Sequence, residues 1–290
     1  MIREHSVRSF SVAALSPDPD LANAALMIAR LEYPGLDPRP YLEQLDALGR
    51  EARMRLAEAS TLGCDAPPGV DPDRYARVMA LNEYLFNDLR FRGNKTQYED
   101  PRNSCLNEVL DRRTGIPITL AVVYLEVARR AGVAASPVSF PGHFLVCLDA
   151  RGERLPIDPF SGGDVLDDRA LVALLRRSGS RLSYAPELIA PTPVRQVVAR
   201  MLLNLRAIYA QRGDLSRLLV IFDHLIDLLP NAADERRDRG LLFGRLGAPD
   251  AALADLERYL ELAPAAPDAD QIRHWMQQMQ QASQAGSVRS

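Results

Sequence analysis

A stretch that is apolar on nearly every face leaves a chain little choice, and Pro117–Gly132 is such a stretch. As a helix it puts Leu120, Val123, Tyr124 and Val127 on one face, while Ile118, Ala121, Val122, Leu125 and Ala128 fill most of the remainder. A helix of this kind must be enclosed by other elements. Pro117 suits a first helical position, where a missing N–H loses no intrahelical bond, and Gly132 suits the left-handed residue beyond the last turn. Arg129 and Arg130 place positive charge at the negative end of the helix dipole.

Beyond Gly132 the hydrophobic period changes to two, so Val133–Phe140 and Gly142–Leu148 read as strands. The second alternates His143, Leu145 and Cys147 with Phe144, Val146 and Leu148. Arg151-Gly152 reads as a two-residue hairpin turn, which sends Arg154–Asp158 back alongside and sets Leu145 opposite Asp158. His143 then lies one diagonal step from Asp158 on the same face, with Cβ atoms about 7–8 Å apart. A carboxylate beside an imidazole fixes its tautomer and raises its basicity, as in the orienting half of a nucleophile–His–Asp triad. The pair also has a purely structural reading, as a satisfied core histidine and an Asp-Pro turn leading into Ser161-Gly162-Gly163.

The run YEDPRNSCLNEVLDRRTGIPITLAVVYLEVARRAG, followed by PGHFLV and IDPF, resembles the transglutaminase-like relatives of papain-type enzymes, and more narrowly the SirB family. SirB-like proteins join such a domain to C-terminal tetratricopeptide repeats. The resemblance implies an α+β N-terminal domain, helix-rich with a small antiparallel sheet, followed by an all-α repeat domain. It carries the family's His and Asp onto His143 and Asp158. In catalytic relatives the cysteine heads the buried helix, where the dipole and the histidine favour the thiolate. Here that place falls on Pro117 or Ile118, and neither can attack a carbonyl. Thr119 lies one residue beyond, with no activating base evident. Cys105, on a helix predicted over Asn103–Arg112, is the alternative nucleophile, although a small buried residue is its ordinary reading.

Three cysteines without framework spacing argue against a disulfide scaffold and suit a reducing cytoplasm. A net charge of −3 demands neither nucleic acid nor an anionic membrane as partner. MIREHSVRSFSVAALSPDPD does not read as a signal peptide, and no stretch is long and apolar enough to span a bilayer. No histidine pair has metal-ligand spacing, and no cofactor is expected.

Helices are predicted over Asp18–Tyr33, Pro40–Ala59, from Asp71 or Asp73 to about Leu89, and over Asp167–Arg177. Thr61–Pro72, with Cys64, reads as a turn-rich loop. The loop FRGNKTQYEDPRNS carries Phe91 and Tyr98 and reads as packed over a site. SGSRLSYAPELIAPTP breaks the pattern and reads as a connector packed against a surface.

The remainder repeats itself. Gly213 and Gly247 are 34 residues apart, as are Pro230 and Pro264, which is the tetratricopeptide period. Leu205, Tyr209, Leu218, Phe222, Leu225 and Pro230 correspond to Arg239, Phe243, Ala252, Leu256, Tyr259 and Pro264, with Arg239 and Leu218 departing from the consensus. Asp268–Ala282 supplies a capping helix through Ile272, Trp275, Met276 and Met279. His224 has Arg258 at its repeat equivalent and reads as a solvent position.

The expected organisation is a transglutaminase-like domain with an N-terminal helical part over 1–182, a connector over 183–198, and two repeats with a capping helix over 199–285. The expected function is that of a cytoplasmic protein-binding or regulatory protein lacking the usual nucleophile. It would contact a protein or peptide through the repeats and the cleft. The alternative is a cysteine hydrolase or acyl transferase acting on amide bonds with Cys105, His143 and Asp158.

Overall fold

In the computed structural model, which describes residues 14, 16, 19–59, 66, 70–150 and 153–287, the chain divides between Ile208 and Tyr209 into two units. Residues 1–13 and most of the loop 61–72, including Cys64, lie outside the described residues. Asp20 accepts a hydrogen bond from the Asn23 N–H and starts α1 (Leu21–Ala29). The helix is shorter than predicted because its last turn tightens: the N–H groups of Arg30, Leu31 and Glu32 each bond three residues back. Then follow α2 (Arg39–Ala59) and α3 (Pro72–Asn82), the latter capped by Asp71. Past Asn82 the coil widens into a π turn over Glu83–Asp88, with the Leu89 N–H donating to Tyr84 O at 3.0 Å.

After β1 (Arg92–Gly93), Asp100 starts a 3₁₀ turn over Pro101–Ser104, and α4 spans Leu106–Arg112. The predicted helix over Asn103–Arg112 therefore starts late. Asp100-Pro101 builds its own turn first, and Cys105 stands between turn and helix with extended backbone, as the N-cap of α4. β2 (Thr114–Gly115) pairs in parallel with β1.

The apolar run is α5 (Pro117–Ala131), buried along nearly all its length, with Pro117 in its first turn. Gly132 takes φ +79°, and the Val133 N–H reaches back to Ala128 O at 2.9 Å, closing the helix as its sequence predicts. Where α2 crosses α5, a methyl on Gly49 would stand 2.2 Å from Arg130 Cβ, so this position admits only glycine at that spacing. Beside it, Arg130 pairs with Asp46 at 2.6 Å and with the buried Glu126.

Four antiparallel strands pack on this framework in the order β3 (Ala135–Val138), β4 (Leu145–Ala150), β5 (Glu153–Asp158) and β6 (Asp164–Val165). The first two are shorter than predicted. Phe140–His143 closes a tight turn, with the His143 N–H donating to Phe140 O at 3.0 Å and Gly142 at φ +68°. His143 thus sits in the turn ahead of β4 and not within the strand. Arg151 and Gly152 lie outside the described residues, although Ala150 pairs with Glu153 as a two-residue connection requires. Helix α6 (Asp168–Arg177), capped by Asp167, covers the sheet through Leu171, Leu174 and Leu175. Tyr184, Leu188 and Ile189 from the next segment join the same cluster, so that segment packs as predicted.

Helix α7 (Val194–Arg212) contains the unit boundary. Beyond it come α8 (Leu215–Leu228), α9 (Ala233–Arg245), α10 (Pro249–Leu262) and α11 (Ala269–Ser287). α8 and α10 start and end 34 residues apart, each preceded by a left-handed glycine, Gly213 at φ +68° and Gly247 at φ +73°. Ile272 and Met276 of α11 bury against Leu256 and Tyr259, with Trp275 and Met279 packed on the same cluster. A methyl on Gly244 would stand 2.2 Å from the Trp275 ring, so this indole is seated in the helix packing. His224 corrects the solvent reading: it is 2 % exposed, and burial pushes its pKa down to about 4. Its helix carries Leu218, Ile221, Phe222, Leu225, Ile226 and Leu228, which leave little polar face, and the repeat equivalence to Arg258 hid that difference. Among the described residues no helix is long and apolar enough to cross a membrane.

Candidate functional site

The β4–β5 register runs Val146 opposite Ile157 and Cys147 opposite Pro156, which continues to Leu145 opposite Asp158, as the hairpin predicts. From the turn ahead of β4, His143 Nε2 lies 2.9 Å from Asp158 Oδ1. Both side chains are largely enclosed, at 12 % and 5 % exposure. Asp158 also accepts from the Phe160 N–H at 3.0 Å and the Ser161 hydroxyl at 2.8 Å. Burial raises its pKa, but the hydrogen bond and charge of His143, together with the Ser161 and Phe160 bonds, hold it below the ordinary carboxylate value. An ionised carboxylate can only accept, so Nε2 carries the proton and Nδ1 is the basic nitrogen of the neutral ring.

The pair is braced from behind. Gly163 N–H donates to Asp158 O at 2.9 Å, and the Asn82 amide, at the start of the π turn, donates to Gly163 O at 2.6 Å. In front, Phe160 meets the His143 ring edge-on at 6.0 Å between centroids, and Tyr98 meets Phe160 in the same manner at 6.2 Å. Two glycines bring this wall to the head of α5. A methyl on Gly93 would lie 2.6 Å from the Phe160 ring, and one on Gly115, its strand partner, would lie 2.8 Å from Thr119 Oγ1.

At that head, Ile116 is the N-cap and Pro117 the first helical residue. Thr119 is fully buried; its Oγ1 accepts from the Ile116 N–H at 3.1 Å and lies 2.7 Å from Asn103 O, to which it donates. Its hydroxyl is thereby committed to joining the helix start to the preceding turn. Cys105 is also fully buried, and its thiol donates to Pro101 O at 3.4 Å. Among the described residues it makes no hydrogen bond to His143. Burial pushes its pKa up to about 12, assisted by the negative charges of Glu32, Glu108 and Asp100. Cys147 is buried in the sheet core. Among the described residues no group of three or more His, Cys, Asp or Glu is placed to hold a metal ion.

Sequence reasoning missed Asn103, which is fully buried and links the Tyr98 loop to α4. Its amide donates to Gln97 O at 2.6 Å and to Tyr98 O at 3.3 Å, and its oxygen accepts from Asn94 and Arg112 at 3.1 Å each. The available signal was an asparagine directly after Asp-Pro-Arg in a loop already read as packed.

A family model described as the transglutaminase-like superfamily matches residues 39–203, more than half of the chain. The chain belongs to that superfamily. Its transglutaminase-like domain is followed by a match to the tetratricopeptide repeat over 205–277. A UPF0162 protein of Xylella fastidiosa (strain Temecula1) is 39 % identical over 258 residues, covering 87 % of each chain. Another, from Vibrio cholerae, is 27 % identical over 69 % of this chain and 75 % of its own. The mouse F-box only protein 21 is 37 % identical over 142 residues, which is 46 % of this chain and 22 % of that protein.

The bonds to Asp158 give the transglutaminase-like domain a defined pH response. A carboxylate whose folded pKa is lowered contributes stability that is present above its unfolded value, about 3.9, and is lost as pH falls through the folded value. Urea unfolding of the native protein and Asp158→Asn should therefore differ at about pH 5, where the carboxylate is ionised in the folded and unfolded chains alike. The difference should shrink below about pH 4. A difference that stays flat down to pH 2 would show that Asp158 contributes no ionised carboxylate.

Proposed function

We propose that this chain is a cytoplasmic protein-binding or regulatory protein of the SirB-like kind, whose transglutaminase-like domain retains the His–Asp half of the site without a thiolate to activate. This reading is supported by the head of α5, where Pro117 and Ile118 occupy the positions onto which the resemblance carries the nucleophile. The seclusion of Cys105 supports it, since the thiolate is the reactive form and burial among carboxylates disfavours that form. Without a nucleophile, His143 and Asp158 serve to present a polar, oriented imidazole beside the Phe160 and Tyr98 rings, to which a peptide can hydrogen-bond and pack. The tetratricopeptide repeats supply a second surface for protein contacts.

Acyl-transfer chemistry provides the test. Incorporation of a fluorescent primary amine into casein, and cleavage of a peptide-amide library, should stay at background for the full-length protein and match Cys105→Ala. Turnover in the native protein that disappears in both Cys105→Ala and His143→Ala would establish a cysteine hydrolase or acyl transferase instead.

A further inference from the structure

We propose that the outer edge of β3 is a second binding site, which takes an extended peptide and seats its lysine side chain against Glu126. The site owes nothing to His143 or Asp158. β3 is the outermost strand of its sheet, and its backbone groups alternate between β4 and the outside. The Thr192 N–H donates to Pro137 O at 2.7 Å and the Ser139 N–H donates to Thr192 Oγ1 at 2.8 Å, so Pro137 and Ser139 are residues that turn these groups outward. Ala135, two residues before Pro137, does the same. Among the described residues its N–H and C=O make no hydrogen bond across that edge, and Pro137 has no N–H to offer. One donor and one acceptor on one residue are left open, which is the pair that an extended residue of another chain fills.

A cavity of about 480 Å³ adjoins this edge. Val138, Leu145 and Cys147 turn toward α6 in the sheet's core cluster. Ala135 and Pro137 alternate with Val138, so their side chains turn to the other face, where they line the cavity with Leu125, Glu126 and Arg129 of α5. A residue hydrogen-bonded to Ala135 shares its face, and its side chain therefore enters the cavity. Glu126 is 3 % exposed, and both of its ion pairs, to Arg129 and Arg130, fall on Oε2. Oε1 makes no hydrogen bond among the described residues and is not sealed over. Asp20, an exposed residue of the lining, gives Oδ1 to the Asn23 N–H and adds a second carboxylate, while Arg130 is balanced by Asp46. The lining thus sets two carboxylates against one guanidinium, that of Arg129, and the last turns of α5 present the negative end of its dipole. A long side chain ending in an ammonium meets Leu21, Leu125 and Val133 with its apolar stem and an open carboxylate oxygen with its head.

N-acetyl-lysine-N-methylamide carries the two amides and the ammonium of one such residue. Its norleucine analogue lacks the ammonium, and pentylamine lacks the amides. Each is titrated into the full-length protein while the Ala135 backbone amide signal is followed by NMR. The lysine compound should move that signal with a dissociation constant about tenfold below either of the others, the worth of a charge-assisted hydrogen bond. Glu126→Gln should erase the preference for lysine over norleucine. Asp20→Asn, in which asparagine keeps the helix cap, should narrow it, and it serves alone if Glu126→Gln does not fold. Equal binding of the lysine and norleucine compounds overturns the ammonium assignment, and equal binding of the lysine compound and pentylamine overturns the peptide. If none of the three moves the Ala135 signal, the site itself is overturned. A shift of that signal with protein concentration alone gives the edge to a second copy of this chain and overturns the peptide as its occupant.

Discussion

Arg239→Met is expected to destabilise the C-terminal unit by about 3–5 kcal/mol, the cost of stranding buried charge. Arg239 occupies a repeat position where the consensus packing residue is absent, and the structure supplies the reason. Its Nε and Nη2 clasp both oxygens of Asp255 at 2.7 Å, and its Nη1 holds Asp223 at 2.7 Å. The three residues lie on α9, α10 and α8, so one guanidinium ties three helices together. Asp255 is only 6 % exposed, and its other cation, Arg236, stands 3.7 Å away, too far to replace the fork. Trp275 is the single tryptophan and belongs to this unit, so its fluorescence during urea unfolding reports on the effect. Adding Asp255→Leu and Asp223→Asn to Arg239→Met should recover most of the loss, because a buried ion cluster replaced as a whole costs far less than one broken. A single Arg239→Met within about 0.5 kcal/mol of the native protein would mean the cluster is solvated in solution.

Asn103→Ala should cost the N-terminal unit about 3–5 kcal/mol, since two or more stranded polar groups cost about 1–3 kcal/mol each. The substitution leaves Gln97 O, Tyr98 O, the Asn94 amide and an Arg112 nitrogen without this partner in the interior. Asn103→Asp separates bonding from packing. It preserves shape, but it sets an oxygen where the amide nitrogen now lies 2.6 Å from Gln97 O, so it should be about as damaging. Thermal unfolding measures the loss, and hydrogen exchange at Gln97–Asp100 should rise in both variants. A near-neutral Asn103→Asp would show that the site needs only the volume of the side chain.

What could be read from the sequence was whatever repeats or alternates locally. The Pro117 and Gly132 signals bound α5 correctly because capping is decided within a few residues. The hairpin register placed Leu145 opposite Asp158 because a two-residue turn fixes pairing arithmetically. The 34-residue period located α8 and α10. Less visible was anything decided by distant partners. Asn103 is one polar residue in a polar loop until Asn94, Arg112 and Thr119 close around it. His143 was assigned to a strand because alternation does not reveal a glycine turn at positive φ, although its meeting with Asp158 did not depend on that detail. A helix through Cys105 reads past the Asp-Pro start at Asp100, although its burial agrees with the ordinary reading of a small cysteine. The two close glycines, Gly93 and Gly115, carry no pattern in sequence and are understood only once Phe160 and Thr119 are seen against them.

Whether an imidazole-paired thiolate exists is decided by the rate at which iodoacetamide modifies Cys105 as a function of pH, followed residue by residue by mass spectrometry in the native protein and in His143→Ala. With Sγ buried against Pro101 O and its pKa pushed up to about 12, Cys105 should react slowly across the neutral range and identically in the two proteins. A fast reaction that persists below pH 7 and is lost in His143→Ala would contradict this account and make Cys105, His143 and Asp158 a working triad.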